Sequence, residues 1–327
     1  MTYWIKEAVN TKFFDKLIDN FSIWQHTSGT SILREEGYAL DDATRGLLFT
    51  VVSGREQQSE VLLSYIVKSQ SGNSFYGFCG PDRKFLPGVA SDDAVGQVIW
   101  AAGLAYNMNF HKSQAEKLID KAMSYIDNTS HVRGYAYALL GAVYIDENVS
   151  KKYYLKLKNF FNSTDRDWFW PEPTLTYGNA IMPYAFLRFG LIYKNAEAIN
   201  IGRKLLMFLE EKCTHKRRRG PIGNDGWMPR DKEIAPTYSQ QPIDTAYMVW
   251  AWLVAYQISG KSADKQKALD WMGWFEGDNV ADTKMYDPKD MHAFDGIDSY
   301  GVHMHSGAES NICLLLSKHM MKNNVTV

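Results

Sequence analysis

Cysteine is scarce in this sequence: Cys79, Cys213 and Cys313 are three in number and far apart. They form neither a CxxC metal pair nor an even disulfide framework, so free thiols in a reducing, cytoplasmic setting are expected. Charge of one sign is also missing, because 36 basic and 37 acidic residues leave a net charge of -1. That balance provides no pull toward nucleic acid or an anionic membrane. The one basic run, KRRR at 216–219, precedes Gly220-Pro221 and reads as a solvated loop. No apolar run approaches the ~20 residues that span a bilayer, and the opening MTYWIKEAVNTKFFDKLIDNF reads as an amphipathic helix without a signal-peptide core. A soluble protein with no membrane partner is expected. There are only ten prolines, and no Pro- or Ser-rich stretch marks a linker.

What is abundant is one recurring device: a polar or acidic loop, a small residue, then a strongly apolar helical run. It occurs as YALDDATRGLLFTVV, VASDDAVGQVIWAAGLAY, SHVRGYAYALLGAVY, LTYGNAIMPYAFLRFGLIY, QPIDTAYMVWAWLVAY and HSGAESNICLLLSKHM. Measured from Asp41, Asp92, His131, Asn179, Asp244 and Glu309, the intervals are 51, 39, 48, 65 and 65 residues, each room for two helices. More charged amphipathic stretches lie between, such as SQAEKLIDKAMSYID, and the N-terminal helix is the first of that kind. A helix apolar nearly all round must be buried on both sides, whereas one with a single apolar stripe covers a surface. A double ring satisfies both, with apolar helices inside and amphipathic ones outside. The expectation is therefore an all-α (α/α)6 toroid over 1–327, one domain because half a ring cannot close. Segments 21–40, 71–91, 214–240 and 277–304 exceed the usual connection length, while 52–57 and 258–262 are short, which places the long loops on one face.

Inner helices of such a ring run parallel, so the residues at their starts crowd round one end of the axis. Asp41, Asp42, Asp92, Asp93, Asn179, Asp244 and Glu309 all hold that position. Any one of them could simply be a helix cap. Collectively they predict a cavity, because caps alone would not require paired carboxylates or so many aromatic neighbours. Trp168, Trp170, Glu172 and Tyr177 precede the fourth inner helix, and Trp227, Tyr238, Gln240 and Gln241 precede the fifth. Sugar rings stack on aromatic faces while amides and carboxylates take hydroxyl groups, so the mixture suits a glycan. Several carboxylates in one pocket also invite general acid and base catalysis, and glycoside hydrolysis needs two such groups. His303 and His305, with Glu309 close by, are expected to hydrogen-bond ligand or loop rather than bind metal. Neither DDATR nor DDAVG completes DDxxD, which argues against diphosphate chemistry.

Taken together, YALDDATRGL, SDDAVGQVIWAAG, PEPTLTYGNAIMPYAFL, QQPIDTAYMV and HSGAES resemble a family of six-hairpin glycosidase-like proteins often found beside or fused to glycosyltransferases. The resemblance covers nearly the whole chain. It implies an (α/α)6 barrel whose site is lined by Asp41, Asp42, Arg45, Asp92, Asp93, Glu172, Tyr177, Asn179, Gln241, Asp244 and Glu309. The reading that follows is a glycoside hydrolase acting on an oligosaccharide without cofactor or metal, two of Asp42, Asp93, Glu172, Asp244 and Glu309 serving as acid and base. Two other readings stand beside it. One is a sugar epimerase or isomerase using His131, His303 and His305 as bases; the other is a non-catalytic glycan-binding partner of a glycosyltransferase.

Overall fold

The computed structural model describes residues 9–162, 164, 167–215 and 218–327. Among them are twelve α-helices that alternate around a double ring. The inner helices are α2 (Leu40–Val52), α4 (Asp92–Asn107), α6 (Val132–Ala142), α8 (Ile181–Tyr193), α10 (Pro242–Ser259) and α12 (Ala308–Asn323). The outer ones are α1 (Lys12–Leu17), α3 (Glu56–Lys68), α5 (Lys112–Ile126), α7 (Glu147–Asn159), α9 (Ala196–Lys212) and α11 (Ser262–Glu276). Residues 2–14 of α10 in sequence order, from Ile243 to Ala255, are buried without interruption, whereas α5 buries only Ala115, Leu118, Ile119, Ala122 and Ile126, a single stripe at helical spacing. The two burial patterns are what assign a helix to one circle or the other.

Each inner helix packs on the next, α2 on α4, α4 on α6, and so on to α12, which returns to α2. Inner helices α2 to α10 each pair with the outer helix that follows them, but α12 has none after it and packs against α1 instead. The ring therefore has a seam where the first and last helices meet. Only part of the expected N-terminal helix is seen: residues 1–8 of that prediction lie outside the described residues, and the chain leaves the helix at Ile18, which is extended and bridges to Ile23.

Connections at the C-terminal ends of the inner helices are tight. Lys194 closes α8 in a left-handed conformation, and Gly260 does so for α10 at φ +65°. The opposite face carries the long loops, which contain most of the six short two-stranded sheets. Of the basic run at 216–219, residues 216 and 217 lie outside the described residues.

Two features set the shape of the interior. Helices α4 and α6 approach on glycines, so closely that a Cβ at Gly141 would stand 2.2 Å from the Ile99 carbonyl oxygen. Across the axis, Trp100 of α4 meets Trp250 of α10 with ring centroids 6.2 Å apart, and Tyr137, Tyr184 and Tyr247 fill in around them. Aromatic rings thus fill the core of the ring beneath the inner-helix starts.

Candidate functional site

The acidic residues at the inner-helix starts are not capping their own helices. The N-cap positions of α2, α10 and α12 are Ala39, Gln241 and Gly307, and none makes a side-chain capping bond. Asp41, Asp42, Asp244 and Glu309 lie inside the first turns, where the helix dipole favours anionic charge while the side chains stay free to point elsewhere.

Three of them converge on one cation across the seam. Nη2 of Arg45 is 2.9 Å from Oδ2 of Asp41, 2.9 Å from Oδ1 of Asp42 and 3.0 Å from Oε2 of Glu309. That nitrogen has two hydrogens for three carboxylates, and the Nε of Arg45 has no partner among the described residues. One guanidinium cannot neutralise three carboxylates, of which Asp42 is buried, so the cluster retains a proton near neutral pH. Side-chain exposure is 8% for Asp42 against 39% for Asp41 and 32% for Glu309, which places the proton on Asp42. Burial, together with the neighbouring Asp41 charge, lifts the Asp42 carboxyl above its ordinary range despite Arg45. Glu309 is also raised, chiefly by burial, against the opposing charge of Arg45.

Asp244 is 6% exposed and stands apart from that cluster. Its Oδ1 accepts the Gly178 backbone N–H at 2.6 Å, and its buried Oδ2 has no hydrogen-bond partner among the described residues. Burial raises its pKa to about 7, and the Gly178 bond only partly opposes this. Gly178 sits at φ +58° against the Tyr247 ring, a backbone setting that glycine alone adopts without strain. Asp244 is one of the residues lining a small cleft, with Asn179, Leu209, Cys213, Ile222 and Met248.

The third sector is organised by Arg133 of α6. Its Nε donates to the Tyr177 carbonyl at 2.9 Å and its Nη1 to both oxygens of Glu172 at 2.9 and 2.8 Å; Nη2 donates to Thr176 Oγ1 at 2.7 Å and, more weakly, to Asn179 Oδ1 at 3.3 Å. Glu172 is thereby committed to an ion pair. Tyr177, whose ring lies under the Arg133 guanidinium, donates its hydroxyl to Asp93 Oδ2 at 2.8 Å. The other oxygen of Asp93 is 2.9 Å from His131 Nδ1, and this bond raises the His131 pKa. The same nitrogen accepts the Gly134 N–H at 3.4 Å, which caps the start of α6. The Tyr137 and Tyr247 hydroxyls meet at 3.0 Å in the core of the ring.

Other expected residues fall elsewhere. Asp92 turns outward to accept the Tyr125 hydroxyl at 3.1 Å. Trp168 and Trp170 are buried against Phe208, and the Trp168 indole donates to the Glu172 carbonyl, so neither presents a face to a ligand. Gln240 is fully buried, held by the Thr237 carbonyl and the Trp274 indole, while Gln241 is the half-buried N-cap of α10. Trp227 and Tyr238 are exposed on the long-loop face. His303 is exposed and paired with Asp298 at 3.3 Å; His305 Nδ1 accepts the Gly29 N–H at 3.3 Å. Among the described residues no group of three His, Cys, Asp or Glu side chains is arranged to hold a metal ion. Sequence reasoning missed Asp295, which accepts from Gly307 N–H and Ser310 Oγ at 2.6 Å each and so orients the start of α12. It also missed the tyrosine pair, which had looked like ordinary apolar core.

Six helical hairpins in a ring, with polar side chains gathered at the inner N-termini over an aromatic floor, define the six-hairpin glycosidase-like (α/α)6 fold. The same fold is seen in a sugar epimerase from a ruminal bacterium, at 12% identity over 96% of both chains with a TM-score of 0.71. A D-mannose isomerase matches at 13% identity over 96% of this chain and 95% of its own, TM-score 0.69. The GH76 α-mannanase of Bacteroides thetaiotaomicron matches at 11% over 95% and 92%, TM-score 0.62. No protein-family model and no curated protein matches the sequence. At such identities the likeness is one of fold. No helix among the described residues is long and apolar enough to cross a membrane.

Proposed function

We propose that the protein is a carbohydrate-active enzyme, a glycoside hydrolase in which Asp244 is the general acid and Glu309, beside Asp41, supplies the ionised carboxylate. The observation that carries the reading is Asp244: a buried carboxyl with a pKa of about 7, one oxygen fixed by a backbone N–H and the other without a hydrogen-bond partner among the described residues. A general acid should be protonated yet able to lose its proton near working pH. Asp42 and Glu309 share one Arg45 nitrogen, which keeps their oxygens within about 6 Å. An inverting pair needs ~6.5–9.5 Å to admit water, so a pair working across a water would be Asp244 with one of the Arg45-bound carboxylates. The fold shared with a mannanase supports a glycan substrate.

A second reading, epimerisation or isomerisation, is favoured by the His131–Asp93 pair and by the fold shared with a sugar epimerase and a mannose isomerase. Incubation with a panel of defined oligosaccharides in D2O separates the readings. Reducing-end release that falls at least ~100-fold in Asp244→Asn and Glu309→Gln supports hydrolysis. Deuterium entering an uncleaved sugar supports epimerisation, and binding without turnover supports a glycan-binding partner of a glycosyltransferase. That association and a cytoplasmic setting rest on motif order and on three free cysteines. Ring closure through both ends of the chain supports reading 1–327 as one domain.

A further inference from the structure

Among the described residues the most exposed aromatic is Tyr300, at 99%. It sits at the tip of a hairpin formed by Gly296–Asp298 and Gly301–His303. The arm is built to stay in place. Its tip is turned by Asp298, whose Oδ1 accepts the Tyr300 N–H at 2.7 Å, and His303 closes on the Asp298 carboxylate. Its root is bonded in both directions to the loop before α10, Gln240 N–H to the Ile297 carbonyl at 2.9 Å and Ile297 N–H to the Gln240 carbonyl at 3.0 Å. Gln240 is in turn anchored by the Trp274 indole, and Gly296 packs so tightly on the Gln240 carbonyl that a Cβ there would stand 2.4 Å away.

The position of the root matters. Asp244 follows Gln240 by one helical turn, and the arm's far strand runs through His305 into α12 and Glu309. The arm therefore rises between the starts of the two helices that carry the proposed acid and its counterpart. Tyr238, exposed two residues before Gln240, shares its base. The 299–300 turn lies about two residue rises, roughly 7 Å, beyond the bridge at Ile297, and the Tyr300 side chain extends further, so a ligand reaching its ring from the helix starts spans more than one sugar ring.

We propose that Tyr300, with the exposed Tyr238 two residues before the arm's root, forms a distal sugar-stacking subsite, so that the substrate is a linear oligosaccharide and not a mono- or disaccharide. The inference rests on the glycan reading above and adds its length and direction, outward between the starts of α10 and α12. A rigid, hydrogen-bonded arm that leaves an aromatic side chain wholly in water gains nothing in folding; covering that ring with a sugar face does.

The test is calorimetric. Wild type, Tyr300→Ala and Tyr300→Phe are titrated with mannose, mannobiose and mannopentaose, and with the matching glucose-based β-1,4 series. Because Tyr300 contacts nothing that folding requires, the unfolding midpoints should coincide. The expected result is wild-type affinity that rises from disaccharide to pentasaccharide in the series that binds. In that series Tyr300→Ala should lose roughly five- to ten-fold on the pentasaccharide with no loss on the disaccharide, and Tyr300→Phe should retain wild-type affinity. Equal affinities for disaccharide and pentasaccharide, or no loss in Tyr300→Ala, would overturn the subsite and leave the glycan reading standing. Absence of binding by every sugar in both series would overturn the two together.

Discussion

Replacing Asp244 by Asn provides a quantitative test of the electrostatics, because the amide reproduces the neutral carboxyl and cannot ionise. In the folded chain Asp244 has a pKa of about 7 against 3.8 unfolded, and it is almost completely buried. A raised carboxyl pKa means the folded state holds a proton that the unfolded chain releases. Its stabilising proton is therefore fully present below pH 4, and stability falls as pH rises from about 4 to about 7. Three units at about 1.4 kcal/mol each make the loss on the order of 4 kcal/mol by pH 8. Asn keeps the Gly178 bond and places an NH2 in the space of the free Oδ2, at a constant cost of about 1–3 kcal/mol. In urea unfolding from pH 4.5 to 8, Asp244→Asn should start less stable than wild type and end equal or more stable, a relative gain of about 3–4 kcal/mol. Stability curves that run parallel across this range would refute the assignment of a protonated, buried Asp244. The same group should place an alkaline limb near pH 7 on the kcat/KM profile, since the acid is lost above its pKa.

Arg45→Met should destabilise by about 3–5 kcal/mol at pH 7, because Asp41, Asp42 and Glu309 lose their shared cation, and by much less at pH 4, where the raised Asp42 and Glu309 carboxyls are protonated; urea titration at both pH values reads the difference. Gly141→Ala should cost about 2–3 kcal/mol, measured the same way, since its Cβ would drive α4 and α6 apart at the Ile99 carbonyl. Trp168→Ala should lower the unfolding free energy by about 3–5 kcal/mol with glycan affinity of the folded fraction unchanged. Trp227→Ala should show the reverse, weaker glycan binding with stability within about 0.5 kcal/mol, as its ring is exposed on the loop face.

The ring was legible because burial on two sides or one leaves different periodicities. The all-round apolar run of α10 and the single stripe of α5 differ by eye, and their alternation requires two concentric circles. The helix starts were legible for the same reason, since polarity before an apolar run marks where an inner helix enters. Side-chain direction was not. Asp92 and Asp93 are adjacent and chemically identical, yet the roughly 100° between successive helical residues sends the first to Tyr125 on the outer layer and the second to Tyr177 and His131 at the inner-helix starts. Glu172 was one acid among five until Arg133, two residues into a helix with no acid of its own, was seen to bind both its oxygens. Trp168, Trp170 and Gln240 failed as ligand contacts because the loops that carry them fold back on α9 and α11, a tertiary outcome with no local pattern.

The seam between α12 and α2 has a consequence for the life of the molecule. Asp41, Asp42 and Arg45 lie on α2 and Glu309 on α12, so the cluster is complete only when α12 slots between α1 and α2. A chain with α12 undocked would keep five hairpins but lack the Glu309 carboxylate at Arg45. If Glu309 acts as proposed, the site is assembled by the same step that closes the ring.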